Sequence, residues 1–313
     1  MFFFNKVLSK IKKNNYIRRS KKISGILRSI LKKKIGIIDI GAGQRYLPTF
    51  LNFDGVAIIA MVDPNKNLLW SYNNFKKIVK YPQNVKSFQF AISNKTKKIK
   101  YYEMNRSTGS TCVDIYKKLR KNSHILNDEY FVLNDEYFGK KKEKKIQAYS
   151  FDDFIKKFFY LKPDIIKIDV EGYELDIINS IIKKYDPFLI EVELNINHKI
   201  YGNTFNIVNA NLLKKNYKLI TGFPLYQKQT NAKNNANVPF IIGDYQNPVH
   251  RSSLEQFDCI YIKNKKNYCL KTFSILVGYG FITEAKSIYE QLSKKISKST
   301  CDKLNNVFEN KYF

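Results

Sequence analysis

The hydrophobic and polar positions after residue 34 follow two alternating patterns. Short continuous apolar runs, which are typical of buried strands, precede stretches whose apolar residues recur every three or four positions. This strand–helix alternation predicts a mostly parallel sheet with helices on both faces. Seven main strands are expected, at residues 35–40, 56–62, 85–90, 164–170, 188–194, 217–221 and 257–262, with an extra β segment at 98–103.

Three other segments depart from this rhythm. Residues 104–145 are polar and charged and contain a tandem duplication of Leu-Asn-Asp-Glu-Tyr-Phe, so we interpret them as a surface insertion. Residues 223–256 are rich in Asn, Gln and Pro, and long connections of this kind are usually lids or binding loops. Residues 264–313 predict a helical C-terminal cap, which leaves a central domain at 35–263.

The first 34 residues contain no acidic residue and predict a basic amphipathic helix. The apolar positions at helical spacing are Ile23, Ile26, Leu27, Ile30 and Leu31. Such a helix either packs its apolar stripe on the core or anchors the chain on an anionic membrane surface or another polyanion. We favour the packed helix for residues 1–34 and keep the membrane contact as the alternative.

The chain of 313 residues has a formal net charge of +28, from 55 Lys and Arg against 27 Asp and Glu. A basic surface attracts nucleic acid, anionic lipid or acidic polymers. The joint abundance of Lys, Asn, Ile and Tyr is equally explained by AT-rich coding, so the charge alone names no partner. No apolar run approaches the ~20 residues that span a bilayer. The four cysteines form no CxxC pair, and so few cysteines in a chain of this length are typical of a protein from a reducing compartment. We expect a cytoplasmic protein, with peripheral membrane contact as the alternative location.

A glycine turn after the first strand is the first chemical signal. Asp39 precedes Gly41 and Gly43 in the run Asp-Ile-Gly-Ala-Gly. Glycine there lets the backbone turn sharply and approach a ligand closely. Tyr46 stands where a dinucleotide fingerprint has its third glycine, which makes a nicotinamide-dependent oxidoreductase the weaker alternative. Asp63 ends the second strand. Its carboxylate either accepts hydrogen bonds from the ribose hydroxyls of a cofactor, or the residue is part of an ordinary Asp-Pro turn.

The strongest signal is Lys-Ile-Asp-Val-Glu-Gly-Tyr-Glu at residues 167–174. Side chains alternate along a strand, so Lys167, Asp169 and Glu171 share one face. Charges in an apolar strand need a reason, because their burial is costly. Either Lys167 and Asp169 form a buried pair, or Asp169 lies at the carboxyl end of a central strand, where open α/β sheets bind ligands.

This segment resembles the Lys-Ile-Asp-Val-Glu-Gly-x-Glu signature of the FkbM family of S-adenosylmethionine-dependent methyltransferases. Gly43 stands for the family's usual Asn, and Asp63 for its usual Glu. Other matching pieces follow the family's order, at residues 38–43, 62–65, 90–93, 107–111, 150–154 and 187–191. The resemblance spans about residues 35–195. It implies a Rossmann-like class I methyltransferase sheet of seven strands, mostly parallel, with the last strand antiparallel.

The resemblance also implies a reaction: O-methylation of a hydroxyl on a sugar, glycan or secondary metabolite. S-adenosylmethionine is the implied cofactor, and its expected binding residues are Asp39, Gly41, Gly43, Asp63, Ala91 and Asp169. An aliphatic hydroxyl is a weak nucleophile, so a positioned general base should help the transfer. The candidates by position are Asp169, Glu171 and His198, which follows the fifth strand.

Three alternatives stay open at this point. Glu191 and Glu193 share a strand face close to Asp169, and such acids can bind Mg²⁺ or Ca²⁺. We expect instead that Lys167 neutralises part of this cluster and that no metal enters. The charge, with 22 Tyr and 23 Phe, suits an RNA methyltransferase, although no recognised RNA module occurs. A basic binding protein on a methyltransferase scaffold is the non-enzymatic alternative.

Overall fold

The computed structural model describes residues 2–43, 47–103, 142–170, 172–195, 204–228, 253–265 and 267–309. The strands are β1 (Ile35–Ile40), β2 (Ala57–Val62), β3 (Val85–Phe88), β4 (Ala91–Ser93), β5 (Lys97–Glu103), β6 (Lys142–Ser150), β7 (Ile165–Ile168), β8 (Leu189–Asn195), β9 (Tyr217–Lys228) and β10 (Ser253–Lys263). The helices are α1 (Phe2–Ile30), α2 (Leu68–Ile78), α3 (Phe151–Phe154), α4 (Glu174–Ile182), α5 (Phe205–Lys214), α6 (Leu270–Tyr279), α7 (Ile282–Leu292) and α8 (Lys298–Glu309). Shorter helical turns are Pro48–Phe53, Pro82–Asn84, Ile155–Phe159 and Ser293–Lys295.

Seven strands form the main sheet, in the order β3-β2-β1-β7-β8-β10-β9. The first five in this order pair in parallel, whereas β10 pairs antiparallel with both β8 and β9. The predicted sheet is thereby confirmed, including its antiparallel last strand. The strand order reverses beside β1, and ligands of open α/β sheets bind at such a switch point, outside the carboxyl ends of the strands.

A second sheet of three strands, in the order β4-β6-β5, follows the end of β3. The predicted β segment at 98–103 is β5, which pairs antiparallel with β6. Because β6 begins at Lys142, the last part of the segment predicted as an insertion is strand. The remainder of that segment, residues 104–141, lies outside the described residues.

The predicted connection at 223–256 also differs from the structure at both ends. Strand β9 continues to Lys228 and β10 begins at Ser253, because the two pair with each other as long antiparallel neighbours. The backbone hydrogen bonds between paired strands do not depend on side-chain polarity. The polar composition of this segment therefore led to the prediction of a loop where the strand ends lie. Residues 229–252 lie outside the described part of the chain.

The two faces of the main sheet bury separate apolar layers. Side chains such as Ile37, Ile59 and Ile165 face a layer formed by α1, α2 and the C-terminal helices α6, α7 and α8. The alternate positions, such as Ile38 and Ile166, face α3, α4 and α5. Side chains alternate between the two faces along each strand, and both faces are buried. This explains why the strands appear in the sequence as continuous apolar runs.

Helix α1 packs on the first of these layers through Ile23, Leu27 and Ile30. Its exposed residues include Arg18, Arg19, Lys21 and Lys22. None of the helices in the described ranges combines the length and the apolar character needed to cross a bilayer.

Two glycines inside helices give a matched test of this packing. A Cβ at Gly278 would lie 2.2 Å from the Phe53 ring, whereas one at Gly25 would only approach the Arg28 guanidinium, at 3.7 Å. We expect Gly278→Ala to lower the free energy of unfolding by about 1–3 kcal/mol through overpacking. Gly25→Ala should raise it by about 0.5–1 kcal/mol, because alanine favours a helix. Urea unfolding midpoints measure both changes, and equal midpoints would contradict the packing described.

Candidate active site

The glycine turn after β1 lies directly against the end of β7. Gly41 has a φ of +85°, and a Cβ there would lie 1.6 Å from the carbonyl oxygen of Asp169. Only glycine combines that conformation with so close an approach. The Gly41 N–H donates to Val62 O at 2.8 Å, and the Asp169 N–H donates to Ile40 O at 2.9 Å. The turn is therefore held by both neighbouring strands at the carboxyl edge of the sheet.

Asp63 follows β2 and holds this turn through its side chain. Its Oδ2 accepts from the Gly43 N–H at 2.8 Å, and its Oδ1 accepts from the Asn65 N–H at 2.6 Å. Burial raises the pKa of Asp63 to about 6, although these two backbone N–H groups act against the rise. A carboxylate offers about four acceptor positions, so Asp63 can accept further hydrogen bonds from a ligand.

Asp39 is a buried acid with an unsatisfied carboxylate. The residue is only 1% exposed, and neither oxygen has a hydrogen-bond donor among the described residues. Burial raises the pKa of Asp39 to about 7, with the Lys167 ammonium acting against the rise. Nearly all buried polar groups in proteins are hydrogen-bonded. A buried carboxylate without a donor, close to the carboxyl edge of a central strand, therefore marks a place where a ligand can supply the donor.

Three charged side chains lie side by side across the central strands, and we call them the charged row: Asp39, Lys167 and Glu191. The parallel register places Lys167 opposite Asp39 on one side and opposite Glu191 on the other. The Lys167 Nζ also lies 2.9 Å from Asp169 Oδ2. Burial lowers the pKa of Lys167, but the carboxylates of Asp169, Asp39 and Glu191 together hold it well above its usual value. One ammonium therefore compensates the negative charge of several carboxylates.

The position of Asp169 agrees with both interpretations drawn from the sequence. It forms the ion pair with Lys167, and it lies directly after β7 at the carboxyl edge, with its side chain 29% exposed. The last Glu of the motif has a local structural role, because the Glu174 carboxylate accepts from the Gly172 N–H at 2.9 and 3.0 Å. Gly172 has a φ of +110°, which favours glycine there.

Ala91 opens β4 and is 6% exposed. It follows a short turn that is tied to the end of β2, because the Asp63 N–H donates to Phe88 O at 3.2 Å. The neighbouring Phe90 ring packs on Tyr149, with ring centroids 4.7 Å apart. The segment expected near the adenine is therefore anchored beside Asp63. The two other predicted bases, Glu171 and His198, lie outside the described residues.

Two further polar groups of the site are ones that the sequence analysis did not single out. Asp258 lies on β10 opposite Glu193, and burial raises its pKa to about 6. Tyr279, at the end of α6, donates its hydroxyl to Glu191 Oε2 at 3.1 Å. Neither residue belongs to a local motif, so only strand register and helix packing bring them to the site. Within the described ranges, no three His, Cys, Asp or Glu side chains are grouped to hold a metal ion.

A sequence model described as "Methyltransferase FkbM domain" matches residues 39–219, more than half of the chain. The chain belongs to the FkbM methyltransferase family. The region shared with the family begins at Asp39 and includes Asp63 and Asp169. It ends before α6, so Tyr279 and the C-terminal helices lie beyond it. No curated protein sequence matches the chain.

Several solved structures resemble this FkbM chain weakly. The FkbM methyltransferase of Methylobacillus flagellatus KT is 12% identical with a TM-score of 0.39, over 73% of this chain and 43% of its own, so this chain spans less than half of that protein. Precorrin-6y C5,15-methyltransferase from Geobacter metallireducens GS-15 is 11% identical with a TM-score of 0.35, over 78% and 87%. M. capricolum TrmK, solved with S-adenosylhomocysteine, is 14% identical with a TM-score of 0.28, over 92% and 93%. Likenesses this weak carry no argument about activity, substrate or partners.

The orphaned carboxylate should cost this protein stability. Because the pKa of Asp39 in the folded chain is raised above its unfolded value, ionisation opposes folding increasingly as the pH rises towards 7. We expect Asp39→Asn to raise the free energy of unfolding at pH 8 by about 1–3 kcal/mol. The gain should shrink as the pH falls towards 4, and urea unfolding across this range measures it.

Asp54 provides the matched control for this experiment. It is also buried, but its carboxylate accepts from the N–H groups of Lys80 and Tyr81 at 2.7 and 3.1 Å. Asp54→Asn should therefore lower stability at pH 8, because an amide cannot replace both acceptors. A loss of stability at pH 8 in both variants would show that the Asp39 carboxylate is hydrogen-bonded in the folded protein.

Proposed function

We propose that this protein transfers a methyl group from S-adenosylmethionine to a hydroxyl group of a sugar, a glycan or a secondary metabolite. The observation that carries the proposal is the buried carboxylate of Asp39, which has no donor among the described residues and lies beside the glycine turn. Membership of the FkbM family supports the methyl-transfer chemistry. The choice of a hydroxyl acceptor follows the family resemblance of the motifs.

The described side chains fit the charge and the hydrogen-bonding groups of this cofactor. The methionine ammonium can supply the donors that Asp39 lacks, and its positive charge suits a site with several acids. Asp63 can accept the two ribose hydroxyls while it keeps its bonds to the backbone. Gly41 lets the turn pack closely against Asp169 at the carboxyl edge of the sheet, and Ala91 is small beside the expected adenine position.

Bound adenosylmethionine would supply a methyl group on a sulfonium, which is already activated for transfer. The task left to the protein is to hold the acceptor oxygen in line with the methyl group and to exclude water. Among the described candidates, Asp169 is the one that can hold or accept the proton of the acceptor hydroxyl. Its partly exposed side chain lies at the carboxyl edge, and Lys167 fixes its Oδ2.

The cofactor proposal is tested by calorimetric titration with S-adenosylmethionine, with NADH as the control ligand. We expect the wild-type protein to bind adenosylmethionine and Asp63→Ala to bind it about 10–100 times more weakly, the effect of lost hydrogen bonds to a charged group. Asp54→Ala removes an equally buried carboxylate that also accepts two backbone N–H groups, and should keep wild-type affinity. Absence of binding would favour the non-enzymatic binding protein, and binding of NADH alone would favour an oxidoreductase.

The acceptor class is tested with adenosylmethionine that carries a labelled methyl group. Mono- and oligosaccharides and polyhydroxylated small molecules form one set of acceptors, and total RNA forms the other. We expect labelled sugar or small-molecule product, and a kcat about 10²–10⁴ times lower for Asp169→Asn, because the amide cannot accept the proton. If the label enters RNA alone, and this labelling falls steeply as the salt rises from 50 to 200 mM, the protein is an RNA methyltransferase and the proposal is wrong.

A further inference from the structure

The end of helix α6 packs against the helical turn Pro48–Phe53. Asn52 Nδ2 donates to the carbonyl oxygen of Gly278 at 2.7 Å, and Gly278 packs against the Phe53 ring, where any Cβ would collide. The ring of the next residue, Tyr279, lies 6.0 Å from Phe53 and stacks on Phe281 at 6.3 Å. These contacts fix the direction in which Tyr279 enters the core.

The hydroxyl of Tyr279 ends at the charged row. It lies 3.1 Å from Glu191 Oε2, and Glu191 is only 4% exposed. Burial and the Glu191 carboxylate hold the pKa of Tyr279 well above its usual value, so the hydroxyl stays protonated and acts as the donor. The contact therefore links the C-terminal helices, which lie beyond the region shared with the family, to the centre of the site.

Glu191 faces charged or titratable groups from four elements. These are Asp39 on β1, Lys167 on β7, Asp258 on β10 and Tyr279 on α6. Burial raises the pKa of Glu191 to about 7, while the Lys167 ammonium and the Tyr279 hydroxyl favour its charged form. The charge of Glu191 near neutral pH thus depends on a small number of contacts, and Tyr279 makes one of them.

We propose that Tyr279 is a positioning residue of the cofactor site: its hydroxyl orients the Glu191 carboxylate beside Lys167 and favours its charged form, and so tunes the negative charge of the row that receives a cationic cofactor. This inference rests on the proposed binding of S-adenosylmethionine. Loss of the hydroxyl would move the protonation of Glu191 to higher pH, so that a larger fraction is protonated at neutral pH. The row would then carry less negative charge at neutral pH, and a cationic ligand would bind more weakly.

The contact itself is tested without any ligand. The titration of the Glu191 carboxyl is followed by ¹³C NMR in the full chain labelled at glutamate, with Glu191→Gln used to assign the signal. We expect Tyr279→Phe to move the midpoint upward by about one pH unit, the effect of one hydrogen bond to a charged group. Tyr289→Phe, which removes a hydroxyl from α7 in the same C-terminal region, should leave it unchanged. An unchanged midpoint in Tyr279→Phe would overturn the proposal.

The consequence for the site is tested by calorimetric titration with S-adenosylmethionine between pH 6 and 9. We expect Tyr279→Phe to bind about 3–5 times more weakly than wild type near pH 7, and with nearly equal affinity at pH 9, where Glu191 is mostly charged in both. A structural defect would lower affinity at every pH, and that result would overturn the proposal, as would identical profiles. Wild-type protein that fails to bind would overturn the proposed function and this consequence, while the NMR titration would still decide the role of Tyr279 towards Glu191.

Discussion

The site depends on one buried ammonium among several acids. Lys167 is a central residue of β7, and parallel pairing with β1 and β8 places it between Asp39 and Glu191. Burial of either carboxylate without a nearby cation would be strongly unfavourable. The lysine therefore makes it physically tolerable to place acids on the inner face of the sheet, and the acids in turn keep the lysine charged. Strand register, rather than any loop, sets this balance.

Sequence patterns predicted the sheet because its strands are buried on both faces and appear as continuous apolar runs. The motif glycines were also predictable, because Gly41 must adopt a positive φ against the backbone of Asp169. Tyr279 and Asp258 could not be found in this way. Their roles come from contacts between segments far apart in the chain, and nothing in the residues next to them differs from an ordinary helix end or strand. The ends of β9 and β10 were missed because ladder bonds tolerate polar side chains.

The two layers on the sheet have different relations to the site. Helices α3, α4 and α5, which cover the apolar strand face, lie within the region shared with the FkbM family. The layer on the other face combines α2, which lies within that region, with α1 and α6, which lie outside it in sequence, and it covers the face that carries the charged row. Segments beyond the matched region therefore lie against residues within it, on the side where the buried acids are covered.

This arrangement has a consequence for how the protein is made. Helices α1 and α6 come from opposite ends of the chain and share one apolar layer, so a ribosome releases the first long before the second. Until α6 emerges, Tyr279 cannot contact Glu191, so this part of the strand face lacks the cover that α6 provides and water can solvate its charges. The charged row can reach its fully buried state only after α6 has been made, and the contacts of high sequence separation that bury it should make closure of this face a slow step of folding.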